Sequence, residues 1–174
     1  LVPYMQLLAD AGQKVVTTTL NKDPWNNQCF DSYADMIIWT KKADGSWSYD
    51  YTVFDRWVEL MMDLGIDHTI NCYSMLPWNN ELHYRDDVTG CFADVTADPG
   101  TPAFEELWVP FLTDFTGHLR EKGWLGRTNI AMDERSPEEM TDALDLLRKT
   151  APELGIAMAD NKNSYLSYPF VNSV

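Results

Sequence analysis

The feature that most limits the fold of this chain is a regular alternation of short apolar segments with longer helical segments. The short segments are rich in β-branched residues, as expected for strands. In the helical segments, apolar residues recur every three or four positions. This order requires right-handed crossovers and therefore predicts a parallel sheet. The four predicted strands are residues 14–20 (KVVTTTL), 67–75 (DHTINCYSM), 127–134 (RTNIAMDE) and 155–160 (GIAMAD).

The predicted helices have recognisable start and stop signals. Thr52 can cap the helix that follows the first hairpin, and Gly123 ends a long helix in which Pro110 predicts a kink or a break. Ser136 and Glu139 have the spacing of a capping box, with a proline at the first helical position. These signals place each predicted helix between two predicted strands.

Two further segments predict β-hairpins outside the main sheet. Residues 37–51 alternate in polarity about the turn former Asp44-Gly45, and residues 82–95 do so about Thr89-Gly90. The predicted fold class is therefore α/β: a (β/α)8 TIM barrel, present here as a partial barrel of about four β/α units with inserted hairpins. A closed barrel needs about eight strands and about 250 residues, so we expect residues 1–174 to be a fragment of a longer barrel domain. A doubly wound sheet remains the alternative, although no GxGxxG or GxxxxGK[ST] motif follows a predicted strand.

Composition excludes several classes of function. The chain has 27 acidic and 13 basic residues, and its formal charge of −14 would repel a phosphate backbone, so nucleic acid is not an expected partner. It contains no apolar run long enough to cross a bilayer, so we expect no membrane insertion by this segment. His68, His83 and His118 form no HExxH motif, and the three cysteines form no CxxC motif. We therefore expect neither a metal nor a cofactor.

Polar and aromatic residues are concentrated where the predicted strands end. In a barrel the active site lies at the carboxyl ends of the strands. Here those ends lead into residues 21–28, 71–80, 133–135 and 160–163, three of which combine asparagine with tryptophan, tyrosine or a carboxylate. Such mixtures bind sugars by stacking against C–H faces and by hydrogen bonding to hydroxyls.

One pair of acidic residues differs from the others in its position. Asp133 and Glu134 end an apolar predicted strand, whereas three other adjacent acidic pairs fall in predicted turns or on helices. The pair is therefore a candidate catalytic centre. The alternative is a structural role in capping the next helix and pairing with Arg135. The other pairs are Asp86-Asp87, Glu105-Glu106 and Glu138-Glu139.

The sequence resembles glycoside hydrolase family 123 and its related domain of formerly unknown function. The resemblance spans nearly the whole chain and rests on KVVTTTL, DPWNNQ, WTKKADGSWSYDYTVFDRWVELMMDLGID, INCYSMLPW, ELWVPFLTDFTGHLREKGW and IAMDERSPEEM in this order. It implies a catalytic barrel flanked by β-sandwich domains in a bacterial protein that is secreted, periplasmic or on the cell surface. It further implies removal of N-acetylhexosamine from a glycan, with β-linked N-acetylgalactosamine as the expected sugar.

The resemblance also implies a retaining mechanism in which the 2-acetamido group of the sugar attacks the anomeric carbon. Asp133 would orient that group and stabilise the oxazolinium-like intermediate, and Glu134 would act as general acid and then as general base. A general acid must hold a proton near neutral pH, which favours a carboxyl shielded from water or close to another negative charge.

Five residues beside the predicted strand ends are candidate walls and hydrogen-bonding groups for the sugar, although packing within loops would equally explain them. Two other functions remain open. One is a non-catalytic carbohydrate-binding protein on the same scaffold, and the other is a retaining glycosidase with a protein nucleophile. The candidate substrate-binding residues are Trp25, Asn26, Asn71, Tyr73 and Trp78.

Overall fold

The computed structural model describes residues 1–28, 30, 34–159, 164–168 and 171 of the chain. Two short 3₁₀ helices, Leu125–Arg127 and Ser164–Ser167, accompany the regular elements. The α-helices and strands are, in chain order, α1 (Val2–Asp10), β1 (Val15–Thr19), β2 (Ile38–Lys41), β3 (Trp47–Asp50), α2 (Thr52–Asp63), β4 (Thr69–Tyr73), β5 (Glu81–Asp86), β6 (Phe92–Thr96), α3 (Pro102–Lys122), β7 (Thr128–Met132), α4 (Pro137–Thr150) and β8 (Gly155–Met158).

The main sheet is parallel and confirms the predicted α/β class. Its four strands lie in the order β1, β4, β7, β8, which is also their order along the chain. Thr19 is in register with Tyr73, Tyr73 with Ala131, and Ala131 with Ala157. Because the strands are parallel, their carboxyl ends lie along one edge of the sheet.

The second sheet is built from the two predicted hairpins. Strands β2 and β3 pair antiparallel, as do β5 and β6, which confirms both hairpins and their position outside the main sheet. The two hairpins join through a parallel pairing of β2 with β5. The sequence patterns do not predict this pairing, because alternation identifies a strand without identifying a distant partner.

One face of the main sheet is apolar and packs against helices. The side chains of Ile70, Cys72, Ile130 and Met132 are fully buried in a single core that also receives the apolar faces of α2, α3 and α4. Since successive residues of a strand point to opposite faces, the other face of the sheet carries the intervening residues. That second face, called the polar face below, carries Asn71, Tyr73 and Asn129 beside the small residues Ala131 and Ala157.

Aromatic stacking joins the second sheet to α3. The ring of Trp39 on β2 lies 4.3 Å from the ring of Phe111 on α3, in a stacked arrangement, and Trp108 meets Trp39 edge-on at 5.3 Å. The indole nitrogen of Trp39 donates to the carbonyl of Leu20, just past β1. The second sheet is therefore attached to the chain segment that leaves the main sheet.

Two helix predictions need correction and two are confirmed. Helix α2 begins at Thr52 itself, so Thr52 is not its N-cap, and its backbone N–H donates to the carboxylate of Asp50. Helix α3 runs unbroken through the exposed Pro110, which excludes the break that was one of the two predicted outcomes at that position. Gly123 ends α3 in the left-handed conformation, and the predicted capping box begins α4.

None of the helices in the described ranges is long and apolar enough to cross a membrane.

Candidate active site

The polar face of the main sheet carries several of the residues predicted to bind a substrate. Asn71 and Tyr73 of β4 are two residues apart and therefore point to the same face. Their register partners on β7 are Asn129 and Ala131, so Asp133, two residues further along, continues that face beyond the end of the strand. The register thus brings Asn71, Tyr73 and Asp133 to one side of the sheet.

Two buried amides bond to each other across the centre of this face. The Nδ2 atom of Asn129 donates to Oδ1 of Asn71 at 2.8 Å, and both residues are buried. A buried amide without a partner is costly, so this bond holds both side chains in defined orientations beneath Tyr73.

Tyr73 and Asp133 lie close enough to influence each other electrostatically. Burial, and after it the negative charge of Asp133, raises the pKa of Tyr73 above its usual value. The hydroxyl of Tyr73 therefore stays protonated at neutral pH and is available as a donor. Oδ2 of Asp133 is buried and has no hydrogen-bond partner among the described residues. Because buried carboxylate oxygens are normally satisfied, the unsatisfied oxygen makes the Asp133 carboxylate a candidate for binding a ligand.

Glu134 follows Asp133 and is exposed to solvent. The shielding that favours a general acid is thus not supplied by the described part of the chain. The pair also does not perform the structural role considered as its alternative, which was capping of the next helix and pairing with Arg135. Helix α4 is capped by Ser136, whose hydroxyl accepts from the backbone of Glu139, while the carboxylate of Glu139 accepts from Ser136 and pairs with Arg135. Capping and ion pairing near Arg135 are therefore performed by residues other than Asp133 and Glu134.

Aromatic side chains border the same edge of the sheet. The ring centroids of Trp25 and Tyr73 are 5.7 Å apart, with 41° between the ring planes. The backbone N–H of Trp78 donates to the carbonyl of Pro24 at 3.0 Å, so the loops after β1 and β4 are directly bonded. Trp78 itself is 43% exposed. An exposed indole on a loop next to the strand ends is a suitable platform for a sugar ring.

Asn26 occupies a different part of this edge. It is exposed, it has a positive φ of 49°, which asparagine tolerates better than most residues, and it lines a polar hollow of about 110 Å³. The hollow is also lined by Asp23, Asn79 and His83. Asn26 is therefore next to Trp25 in the chain but belongs to a separate polar surface.

The structure adds Asn129, which the sequence analysis did not single out, and gives Arg135 contacts other than the pairing with Asp133 and Glu134 considered there. Asn129 bonds to Asn71, and the guanidinium of Arg135 reaches the loop that carries Trp78. Asn129 has a signal in the sequence, because it is a polar residue at alternate spacing with Asp133 inside an apolar strand. The candidate segment 160–163 lies outside the described residues. Within the described ranges, no group of three His, Cys, Asp or Glu side chains is placed to hold a metal ion.

A family profile described as the catalytic domain of glycoside hydrolase 123 matches residues 1–173. The chain belongs to glycoside hydrolase family 123. This finding confirms the resemblance seen in the sequence motifs.

A solved structure gives a second comparison for this family 123 chain. It is a family 123 glycoside hydrolase from Clostridium perfringens, whose structural analysis concerned the hydrolysis of glycolipid glycans. The two chains superpose with a TM-score of 0.87 at 33% sequence identity, over 95% of the present chain. The present chain spans 31% of the length of that relative. No curated protein matches the present chain.

Proposed function

We propose that this family 123 chain is part of the catalytic (β/α)8 barrel of a longer glycoside hydrolase that removes terminal N-acetylhexosamine, and specifically β-linked N-acetylgalactosamine, from glycans. The observation that carries the proposal is the position of Asp133. Its carboxylate follows a buried strand at the carboxyl edge of a parallel sheet, near Tyr73, with one buried oxygen that has no hydrogen-bond partner among the described residues.

The arrangement of the main sheet supports the barrel. Its four strands follow chain order without a reversal, whereas a doubly wound sheet changes direction at a switch point. One face packs against the helices, as the outer face of a barrel sheet does. The remaining strands would then belong to the rest of the longer protein.

The proposed chemistry is the mechanism that the family resemblance implies, with its steps assigned to side chains of this chain. The acetamido oxygen of the bound sugar attacks the anomeric carbon while the glycosidic C–O bond breaks, and Glu134 gives its proton to the departing oxygen. The carboxylate of Asp133 accepts a hydrogen bond from the acetamido N–H and stabilises the positive charge that develops on the oxazolinium-like ring. Glu134, now ionised, removes a proton from the water that opens this ring. Tyr73 donates a hydrogen bond from its neutral hydroxyl.

The exposure of Glu134 is compatible with this role once substrate is bound. A sugar ring stacked on Trp25 or Trp78 would cover the strand end and exclude water from Glu134. Asn71 lies deeper on the same face, and Asn26 borders the polar hollow where a second sugar unit would extend. These residues form the proposed substrate-binding surface.

The proposal is tested with the full-length protein and an aryl N-acetyl-β-hexosaminide. Glu134→Gln should abolish turnover, with circular dichroism and melting temperature unchanged. Glu138→Gln is the matched control, because it removes an exposed carboxyl in the first turn of α4 without altering the strand end, and it should retain activity. Undiminished turnover in Glu134→Gln would refute the proposal.

Inhibitors separate the proposed mechanism from its alternatives. A thiazoline analogue of N-acetylhexosamine mimics the cyclised intermediate and should inhibit strongly, and Asp133→Asn should weaken that inhibition. Trapping of a covalent glycosyl-enzyme would instead indicate a protein nucleophile. Retained ligand affinity with no product at any protein concentration would indicate a carbohydrate-binding protein.

The family resemblance alone supports two further parts of the proposal. They are β-sandwich domains flanking the barrel and a secreted, periplasmic or cell-surface location in a bacterium. The sequence of the complete coding region tests both, because a signal peptide and all-β domains have distinct sequence patterns.

A further inference from the structure

Arg135 immediately follows the acidic pair but its side chain belongs to a different set of contacts. It leaves the end of β7 towards the loop that follows β4, and only 9% of the side chain is exposed. A guanidinium so well buried requires several acceptors, because it cannot lose its charge. The acceptors show what the residue holds in place.

Two of those acceptors belong to the segment 77–80. The Nη1 atom donates to the carbonyl of Pro77 at 2.7 Å, and Nη2 donates to Oδ1 of Asn80 at 2.8 Å. The guanidinium therefore bonds to the first and the last residue of the four-residue turn 77–80. Trp78 lies inside this turn.

The turn is also held by hydrogen bonds that do not involve Arg135. The backbone N–H of Asn80 donates to the carbonyl of Pro77, and Nδ2 of Asn80 donates to Asp98 at 2.8 Å. Asn80 has a positive φ of 54°, so its side chain is directed by an uncommon backbone conformation. Arg135 adds the hydrogen bonds that connect this turn to the end of β7.

Glu139 holds the guanidinium in position from the opposite side. Its carboxylate forms an ion pair with Arg135, four positions earlier in the chain, and also accepts a hydrogen bond from the hydroxyl of Ser136. Hydrogen bonds from Arg135, and more weakly from Ser136, lower the pKa of Glu139 to about 2, so this carboxylate is ionised near neutral pH. The planar guanidinium is thus oriented before any ligand arrives.

We infer that Arg135 is a positioning residue that fixes the exposed ring of Trp78 relative to Asp133 and Glu134, and thereby determines how tightly the glycan binds. The inference rests on the proposed function. If Arg135 served only to stabilise the start of α4, its ion pair with Glu139 would be sufficient. The guanidinium instead also bonds to Pro77 and Asn80, which are 58 and 55 positions away in the chain. Arg135 acts through Trp78 and takes no part in the chemical step.

The test uses the full-length protein and compares Arg135→Met, Trp78→Ala and the double variant. Loss of hydrogen bonds from a charged group costs enough to raise KM about 10-fold to 100-fold, while kcat should change by less than about 3-fold. If Arg135 acts through Trp78, the double variant should have nearly the KM of Trp78→Ala alone. A multiplicative increase in the double variant, or a fall in kcat with KM unchanged, would overturn the inference.

Two further variants separate positioning from folding. Asn80→Gly removes the acceptor of Nη2, together with the bond from Asn80 to Asp98, and leaves the pair of Arg135 with Glu139 intact. Glycine tolerates the positive φ, so KM should again rise while the fold is retained. Arg127→Met is the matched control, because Arg127 also donates to a backbone carbonyl, that of Asp67, but precedes β7 and so lies at the opposite edge of the sheet. Its kinetic constants should equal those of the wild type.

Fluorine NMR gives a readout that does not depend on turnover. With 5-fluorotryptophan incorporated, the resonance of Trp78, assigned through Trp78→Phe, should shift or broaden in Arg135→Met and remain unchanged in Arg127→Met. An unchanged resonance in Arg135→Met would contradict the inference alone. Absence of turnover by the wild type on every N-acetylhexosaminide would instead overturn the proposed function, and the inference with it.

Discussion

The side chain of Asn129 on β7 donates a hydrogen bond of 2.8 Å to the side chain of Asn71 on β4, and both amides are buried on the polar face of the main sheet. The two residues are in register, so the bond spans neighbouring strands at the same level. This pair lies beneath the strand ends that carry Tyr73 and Asp133. It therefore connects the stability of the sheet to the geometry of the candidate site.

Replacement of Asn129 by leucine should destabilise the protein, because it leaves Oδ1 of Asn71 buried without its donor. The expected loss is about 1–3 kcal/mol in the free energy of unfolding, measured by urea denaturation of the full-length protein. Asn79→Ala, at an exposed position, should change the stability much less. If Asn129→Leu were as stable as the wild type, the pair would contribute nothing to the fold.

The ionised state of Glu139 should make stability depend on pH at the acidic end of the range. The folded-state pKa of about 2 lies below the ordinary value of 4.5, so the stabilisation is fully present above pH 4.5 and is lost as the pH falls towards 2. The melting temperature of wild type should therefore exceed that of Glu139→Gln near neutral pH, and the difference should shrink between pH 4.5 and pH 2.

Glu138→Gln serves as the control for this pH profile. It removes a carboxylate from the same first turn of α4 without touching Arg135, so its melting temperature should stay closer to that of the wild type. A Glu139→Gln difference that stayed constant down to pH 2 would show that the stabilisation does not come from the charge of Glu139.

Removal of the hydroxyl of Tyr73 should reduce catalysis without unfolding the protein. The group is protonated, partly buried and near Asp133, so we expect it to donate to the substrate as charge develops. Hydrogen bonds to charged groups are strong enough for Tyr73→Phe to lower kcat/KM by about 10-fold to 100-fold. Steady-state kinetics on an aryl glycoside would measure this, and an unchanged kcat/KM would exclude the hydroxyl from the reaction.

The reactivity of two cysteines towards thiol reagents should differ widely. Cys72 is fully buried on the helix-packed side of β4, and burial raises its pKa to about 12, whereas Cys91 is exposed. Iodoacetamide at pH 8 should therefore modify Cys91 in the folded protein and Cys72 only after denaturation. Peptide mass spectrometry distinguishes the two sites, and rapid modification of Cys72 in the native protein would contradict the packing of β4.

Most of the secondary structure could be predicted because its signals are local. The apolar run TNIAM predicts β7 from its own residues, and Asp44-Gly45 predicts the turn between β2 and β3. Helix ends were less predictable. Thr52 has the side chain of a cap, but the helix starts one position earlier than that role requires, because Asp50 already receives the first free N–H.

The candidate site, too, could be predicted from the sequence only in part. The position of Asp133 and Glu134 after an apolar strand could be deduced from the chain itself. The bond between Asn71 and Asn129 could not, because it depends on the register between strands that are 58 residues apart. The hydrogen bonds of Arg135 to the turn around Trp78 could not be predicted either, because they form between two loops that are distant in the chain.

The amino-acid sequence by itself determined the strands, the helices, the family and the position of the acidic pair after a strand. Each of these depends on neighbouring residues or on ordered motifs. The tertiary structure alone decided which side chains share the polar face, which oxygen of Asp133 lacks a partner among the described residues, and which residues bond to the turn around Trp78. The physical reason is that hydrogen bonding and burial between distant segments depend on strand register and loop packing, which no local pattern encodes.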